Sequence, residues 1–183
     1  MAQWRLPRPS LGVRALQPVS WLYGALGAAR RALYRAKLLR SRAAPCPVVV
    51  VGNLVAGGAG KTPTVMALVR WLQAQGRKPG VISRGHARQG RGTTLVRRDS
   101  VALDVGDEPL LIQSRTGVPV AVGRDRVAAA ELLCAAHPEI DVLVADDGLQ
   151  HLALQRDVDL LLFDDRGAGN GLLLPAGPLR QPV

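Results

Sequence analysis

The feature that most constrains this chain is a run of four valines that leads into a glycine-rich loop. Pro47-Val48-Val49-Val50-Val51 is β-branched and bounded by Pro47 and Gly52, so it reads as a buried strand. Gly52-Asn53-Leu54-Val55-Ala56-Gly57-Gly58-Ala59-Gly60-Lys61-Thr62-Pro63 follows. From Thr64 to Gln75 the pattern becomes helical, with Val65, Leu68, Val69 and Leu72 on one face. A strand, a glycine-rich loop and a helix opened by Gly60-Lys61-Thr62 make a phosphate-binding loop. Gly57, Gly58 and Gly60, with Ala59 among them, let backbone N–H groups turn inward around a polyanion, and the helix dipole adds to the attraction. Lys61 is placed to reach β- and γ-phosphates, and the Thr62 hydroxyl to take a Mg²⁺ coordination position. ATP and Mg²⁺ are therefore the expected ligands. The loop departs from the common pattern at Val55, where a glycine is usual.

Acidic groups complete the expectation. Ile140-Asp141-Val142-Leu143-Val144-Ala145-Asp146-Asp147-Gly148 reads as a second buried strand ending in two carboxylates, a position from which P-loop proteins support Mg²⁺. A plain Asp-Asp-Gly turn is the competing reading. Gly106-Asp107-Glu108-Pro109 opens an apolar helix at Leu110-Leu111-Ile112. Asp107 and Glu108 either cap that helix or divide a catalytic task, one accepting the proton of an attacking hydroxyl and the other supporting the metal. His151 follows the second acidic pair, with a structural role as its alternative. Ser83-Arg84-Gly85 ends a short strand at Gly80-Val81-Ile82, where open α/β sheets bind ligands. Arg124, Arg126 and Arg180 are further phosphate-binding candidates.

Of the 183 residues, 48% are apolar and only 3% aromatic, so Leu, Val and Ala must build the core. Apolar runs alternating with helical stretches indicate an α/β fold, a P-loop NTPase-like parallel sheet with flanking helices. Cys46 and Cys134 fit no metal-ligand spacing and imply two reduced thiols. Charge is divided unevenly: residues 1–98 hold 18 Lys and Arg with no acid, and residues 99–183 hold 6 basic and 14 acidic residues. The first half is thus expected to meet something anionic. The uncharged run Ala15 to Ala29 is too short to cross a bilayer, and Pro18 interrupts it. Ala15, Val19, Leu22, Leu26, Ala29, Leu33 and Ala36 follow helical spacing, with Trp21, Tyr23 and Tyr34 alongside and a cluster from Arg30 to Arg42 behind. That pattern suits an amphipathic helix on an anionic membrane surface. A signal peptide and an ordinary packed helix are the alternatives. Nucleic acid is not an expected partner, because no aromatic stacking platform accompanies the arginines.

These residues resemble one family closely, the tetraacyldisaccharide 4′-kinases that act in lipid A synthesis. The matching stretches are Gly52-Asn53-Leu54 with Gly57 to Pro63, Ser83-Arg84-Gly85, and Val105-Gly106-Asp107-Glu108-Pro109. Asp146-Asp147-Gly148-Leu149-Gln150-His151 and Asn170-Gly171-Leu172-Leu173-Leu174-Pro175-Ala176-Gly177-Pro178-Leu179-Arg180 complete them. The resemblance implies transfer of the ATP γ-phosphoryl to the 4′-hydroxyl of a lipid A disaccharide 1-phosphate, giving lipid IVA. It places Lys61 and Thr62 on phosphate and Mg²⁺, Asp107 as the base, and Glu108, Asp146 and Asp147 in support of the metal. Arg126, His151 and Arg180 become contacts to substrate or nucleotide. The location implied is the cytoplasmic face of the bacterial inner membrane. The expected organisation is an anchor region over 1–45 and a nucleotide-binding kinase domain over 46–183. Because the family is nearly twice as long, the chain reads as truncated, with a C-terminal lobe and a histidine partner for the catalytic Asp beyond Val183. Another P-loop NTPase or small-molecule kinase is the alternative function.

Overall fold

A computed structural model describes residues 11–57, 60–165 and 167–182. The chain divides into two compact units. One comprises Ser41–Gly52 and Gly60–Leu160; the other comprises the residues up to Arg40 with Asn53–Ala59 and Leu161–Val183.

The first unit carries the sheet. Its strands are β1 (Val48–Asn53), β2 (Pro79–Ser83), β3 (Thr94–Val96), β4 (Val120–Val122), β5 (Val142–Asp146) and β6 (Val158–Leu162), of which β1 and β6 run on into the other unit. They lie in the order β3-β4-β2-β5-β1-β6. β1 and β2 both pair parallel with β5, and β2 pairs parallel with β4. β3 pairs antiparallel with β4. The parallel arrangement follows from the sequence: every residue of β2, β4 and β5 is buried, which leaves no solvent face and calls for helical cover. The three-residue edge strand β3 departs from the all-parallel expectation, and an edge strand has a single neighbour to satisfy.

The helices of this unit are α2 (Lys61–Ala74), α3 (Ala102–Val105), α4 (Asp107–Thr116) and α5 (Arg126–Ala136). α2 buries Val65, Val69 and Leu72, as the periodicity predicts, and packs on α4, β5 and β2. α5 buries Val127, Ala129, Ala130 and Leu133 against β2 and β4. Gly106 joins α3 to α4 at φ 93°, and a Cβ there would stand 3.1 Å from the Gly85 Cα. That conformation and that closeness both require glycine, and they set the start of α4 against the end of β2.

The second unit is built on α1 (Leu11–Arg35), which continues through Pro18. Val13 and Ser20 are buried along it. The Ser20 hydroxyl donates to the Leu173 carbonyl at 2.9 Å and accepts from the Ala176 N–H at 3.0 Å. The Tyr23 hydroxyl donates to the Arg180 carbonyl at 3.0 Å. The segment 53–57 is tied to the same region, since Ala56 N–H donates to Pro178 and Arg180 N–H to Leu54, each at 2.7 Å. The apolar stripe expected from the sequence is not the packing face. Val19, Leu22, Leu26 and Leu33 remain exposed, as does Trp21 at 70%. No helix among the described residues is long and apolar enough to cross a membrane.

Candidate active site

The site is built where β5 ends between β1 and β2. Register places Asp146 beside Val51 of β1, and Ile82 of β2 lies beside Ala145. Asp146 therefore leaves the sheet next to Ser83, whose hydroxyl donates to its Oδ2 at 3.1 Å. Asp146 is 2% exposed, and its other oxygen, Oδ1, is buried with no hydrogen-bond partner among the described residues. Burial pushes its pKa up to about 6, and the charge of Glu108 pushes in the same direction, against the Ser83 hydrogen bond. A buried carboxylate with an unpartnered oxygen is a group prepared for a cation.

Asp147 turns away from β5 at φ 49°, in the left-handed region that aspartate tolerates better than most side chains. It forms an ion pair with Lys61 at 3.7 Å. Lys61 is the first residue of α2, and the helix N-cap, Gly60, supplies no side-chain bond to the helix end. The Thr64 N–H and hydroxyl both bond the Gly60 carbonyl, at 3.1 and 3.0 Å. The first N–H groups of α2, Lys61 and the Thr62 hydroxyl thus share one helix end, the arrangement that holds phosphate.

Asp107 and Glu108 occupy the first turn of α4 and are exposed. Gly106 is the N-cap and makes no side-chain cap bond, so neither acid acts as the capping residue. Their position in the first turn complements the helix dipole. Glu108 is near enough for its charge to act on Asp146. No hydrogen bond or ion pair joins Asp107 to Lys61 or Asp146 among the described residues.

Arg126, a candidate contact to substrate or nucleotide, is held by the protein's own backbone. It is 3% exposed, and its guanidinium donates to the backbone carbonyls of Gly123 and Asp146. Burial lowers its pKa to about 10, still a cation at neutral pH. It therefore braces the ends of β4 and β5 and places positive charge beneath the carboxylates. His151 accepts from the Arg126 N–H at 3.3 Å, beside Asp125, whose Oδ1 caps α5 through the N–H groups of Val127 and Ala128. The histidine thus accepts a hydrogen bond at the start of α5.

Sequence reasoning missed the support behind this loop. The Arg156 guanidinium donates to the carbonyls of Leu149 and His151, each at 3.1 Å, and lies 3.6 Å from Asp159. Asp157 accepts from the Val48 N–H at 2.7 Å and returns its own N–H to the Val48 carbonyl at 2.9 Å. The adjacent pair thus pins residues 149–151 to the start of β1. Leu149 fills the space over Gly52, where a Cβ would come within 2.6 Å of it. The Arg156-Asp157 pair, at the end of the segment that follows the acidic turn, was the available signal.

Gly57 and Arg180 lie in the other compact unit. There the Asn53 side-chain amide donates to the carbonyls of Val55 and Gly57 at 2.7 and 3.2 Å. Gly58 and Ala59 lie outside the described residues. Among the described residues, no group of three or more His, Cys, Asp or Glu is gathered as a metal cage.

A buried strand feeding a glycine-rich loop and a Lys-Thr helix start, beside a strand that ends in two acids, defines a P-loop nucleotide-binding α/β protein. The tetraacyldisaccharide-1-P 4′-kinase family matches residues 13–183, and the chain belongs to that family. A tetraacyldisaccharide 4′-kinase of Leptothrix cholodnii is 60% identical over 169 residues, covering 92% of this chain and 49% of the relative. The corresponding protein of Acidovorax sp. (strain JS42) is also 60% identical, covering 92% of this chain and 50% of its own length. The structure of an "apo" form of LpxK from Aquifex aeolicus in complex with ATP superposes with a TM-score of 0.84 at 35% identity, covering 94% of this chain and 55% of that one. The chain spans about half the length of the curated relatives it matches.

Proposed function

We propose that this chain is the nucleotide-binding part of an ATP-dependent kinase that phosphorylates the 4′-hydroxyl of a tetraacyldisaccharide 1-phosphate, giving lipid IVA. The observation that carries the reading is the meeting of Lys61, at the start of α2, with the Asp146-Asp147 strand end. The names of the relatives supply the acceptor, and the ATP in complex with the Aquifex protein supports the donor.

In this reading Gly57, Gly58, Ala59 and Gly60 wrap the phosphates, and Lys61 exchanges its Asp147 partner for β- and γ-phosphate oxygens. Asp107, exposed on the first turn of α4, accepts the proton of the attacking hydroxyl. Mg²⁺ fits the donor set. Thr62 and Asp146, whose Oδ1 has no partner among the described residues, would hold it, with Asp147 and Glu108 in support. The sparse protein ligation suits an ion that keeps waters and phosphate oxygens around it. When bound, the ion neutralises charge on the β- and γ-phosphoryl oxygens. Arg126 holds the ends of β4 and β5 so that the carboxylates meet it.

The exposed stripe Val19, Leu22, Leu26 and Leu33 on α1, backed by Arg30, Arg31 and Arg35, supports a second element of the proposal: region 1–45 lies on the cytoplasmic face of the bacterial inner membrane, where anionic lipids meet it. Residues 46–183 form the kinase part. Nucleic acid is not a partner in this reading.

The test is phosphoryl transfer from γ-labelled ATP to tetraacyldisaccharide 1-phosphate in detergent micelles, with this chain beside a form of family length. Transfer by the longer form, lost on Lys61→Ala, is the expected result. ATP binding without transfer by either form would favour another P-loop NTPase. Flotation with anionic liposomes tests the surface, and recovery of the chain in the unfloated fraction would overturn that part.

A further inference from the structure

Cys46 and Cys134 are the only cysteines in the sequence, and the fold brings them together across 88 positions. Cys46 lies in the segment that enters β1, and Cys134 in the last turns of α5. Their sulfurs are 3.9 Å apart with one thiol donating to the other, and both side chains are partly exposed. Pro45 and Pro47 flank Cys46 and restrict the backbone that presents it. Cys46 also lines a cavity of about 290 Å³, together with Ala43, Ala44, Gln155 and Arg156. The start of β1, where it lies, is the end of the strand remote from the glycine-rich loop.

We propose that Cys46 and Cys134 form a reversible intramolecular disulfide when the protein meets a low-molecular-weight disulfide of the glutathione type. A third metal ligand is not gathered around them among the described residues, which sets a structural zinc site aside. The sulfurs must close to about 2.05 Å, a movement of roughly 2 Å.

The order of events follows from the environment. Burial pushes the Cys46 thiol up to about 12, with Cys134, Asp141 and Asp157 adding to the effect. Cys134 is also raised by burial, but the hydrogen bond from Cys46 works in the opposite direction there. Of the two, Cys134 has the one interaction that opposes its rise, which favours it as the attacking sulfur. Its thiolate attacks one sulfur of the oxidant, breaks that S–S bond and expels one small thiolate, leaving a mixed disulfide. Cys46 then gives up its proton and attacks the Cys134 sulfur, forming the internal bond and expelling the second small thiolate. Two protein thiols are oxidised and one small disulfide is reduced to two thiols, which take up the two protons. In a reducing compartment the pair rests as the dithiol and closes only when the poise shifts.

The experiment treats the whole chain with oxidised glutathione at increasing ratio to reduced glutathione, quenches with acid and reads intact mass. The expected product is the monomer lighter by two hydrogens, with one proteolytic peptide joining Cys46 to Cys134. Closure should need at least about tenfold less oxidant in the folded chain than in the same chain in urea, because folding supplies the proximity. Cys46→Ser and Cys134→Ser should each carry one glutathione adduct instead. Accumulation of two adducts on the unaltered chain, a disulfide-linked dimer as the main product, or equal closure when folded and unfolded would each overturn the proposal.

Discussion

Two pairs of adjacent acids serve this molecule, and they are held in opposite ways. Asp146 and Asp147 end a buried strand: one is enclosed beside Ser83 with its pKa raised, the other twisted to a positive φ and paired with Lys61. Asp107 and Glu108 stand exposed on the first turn of a helix, and no cap bond fixes either carboxylate to the helix end. At Asp146 burial makes the charged form unfavourable, and on the proposed reading an arriving cation would offset that cost, which is electrostatic preorganisation. A proton acceptor has a different requirement, since it must reach an arriving hydroxyl and exchange with solvent. On the proposed reading, two neighbouring acids thus serve as an enclosed receptor in one place and an accessible base in the other.

The contrast would break first at Lys61. Lys61→Ala should lower phosphoryl transfer by the enzyme of family length by at least ~10³-fold while the fold melts within a few degrees of the parent. Asp107→Ala should come next, lowering kcat by about 10²-fold or more with a smaller change in KM for ATP. A rise in KM at unchanged kcat would make Asp107 a binding group instead.

Asp146→Asn should separate the two pairs most sharply, because its effects on activity and on stability have opposite signs. Transfer should fall by about 10²-fold, while the nucleotide-free protein gains about 2 to 3 kcal/mol above pH 6. The sign follows from the raised pKa. Between the ordinary carboxylate value near 4 and the folded value of about 6, the folded state holds more protons than the unfolded state. Stability contributed by this group is therefore present at low pH and lost as pH rises through 6. Thermal melts of parent and variant from pH 4.5 to 7.5 should diverge through that window, whereas Asp107→Asn melts should stay within ~0.5 kcal/mol of the parent. Parallel curves for Asp146→Asn would mean that Asp146 is not strained. The smallest change is expected at the support. Arg156→Lys keeps the charge but loses the double donation to Leu149 and His151, and should cost a few-fold in kcat with ATP affinity unchanged.

Much of this is legible in one dimension. The valine run, the glycine loop and the Val65-Val69-Leu72 face each declare themselves by local period, and β1 and α2 fall within a few residues of their expected bounds. The acids at the end of β5 are visible because a buried strand must stop at a charge. What cannot be read is adjacency that depends on strand order. Ser83 reaches Asp146 only because β2 lies beside β5, and Arg126 turns inward only because β4 precedes it at the sheet end. Spacing in sequence gives no hint that Cys46 lies against Cys134. The stripe on α1 forms a face, as its spacing predicts, but its exposure depends on Ser20 and Val13 making the packed face instead.

That last arrangement has a practical side. An amphipathic leader is the usual thing to delete when a protein is hard to handle in solution. Here the same helix is a mortise for the segment 170–180, because Ser20 closes on Leu173 and Ala176, and the Leu173 side chain comes within 2.7 Å of where a Cβ on Gly24 would sit. Cutting it away would strip partners from buried backbone at the far end of the chain. Repainting Leu22 and Leu26 with polar side chains, with the helix left in place, is the gentler route to a tractable sample.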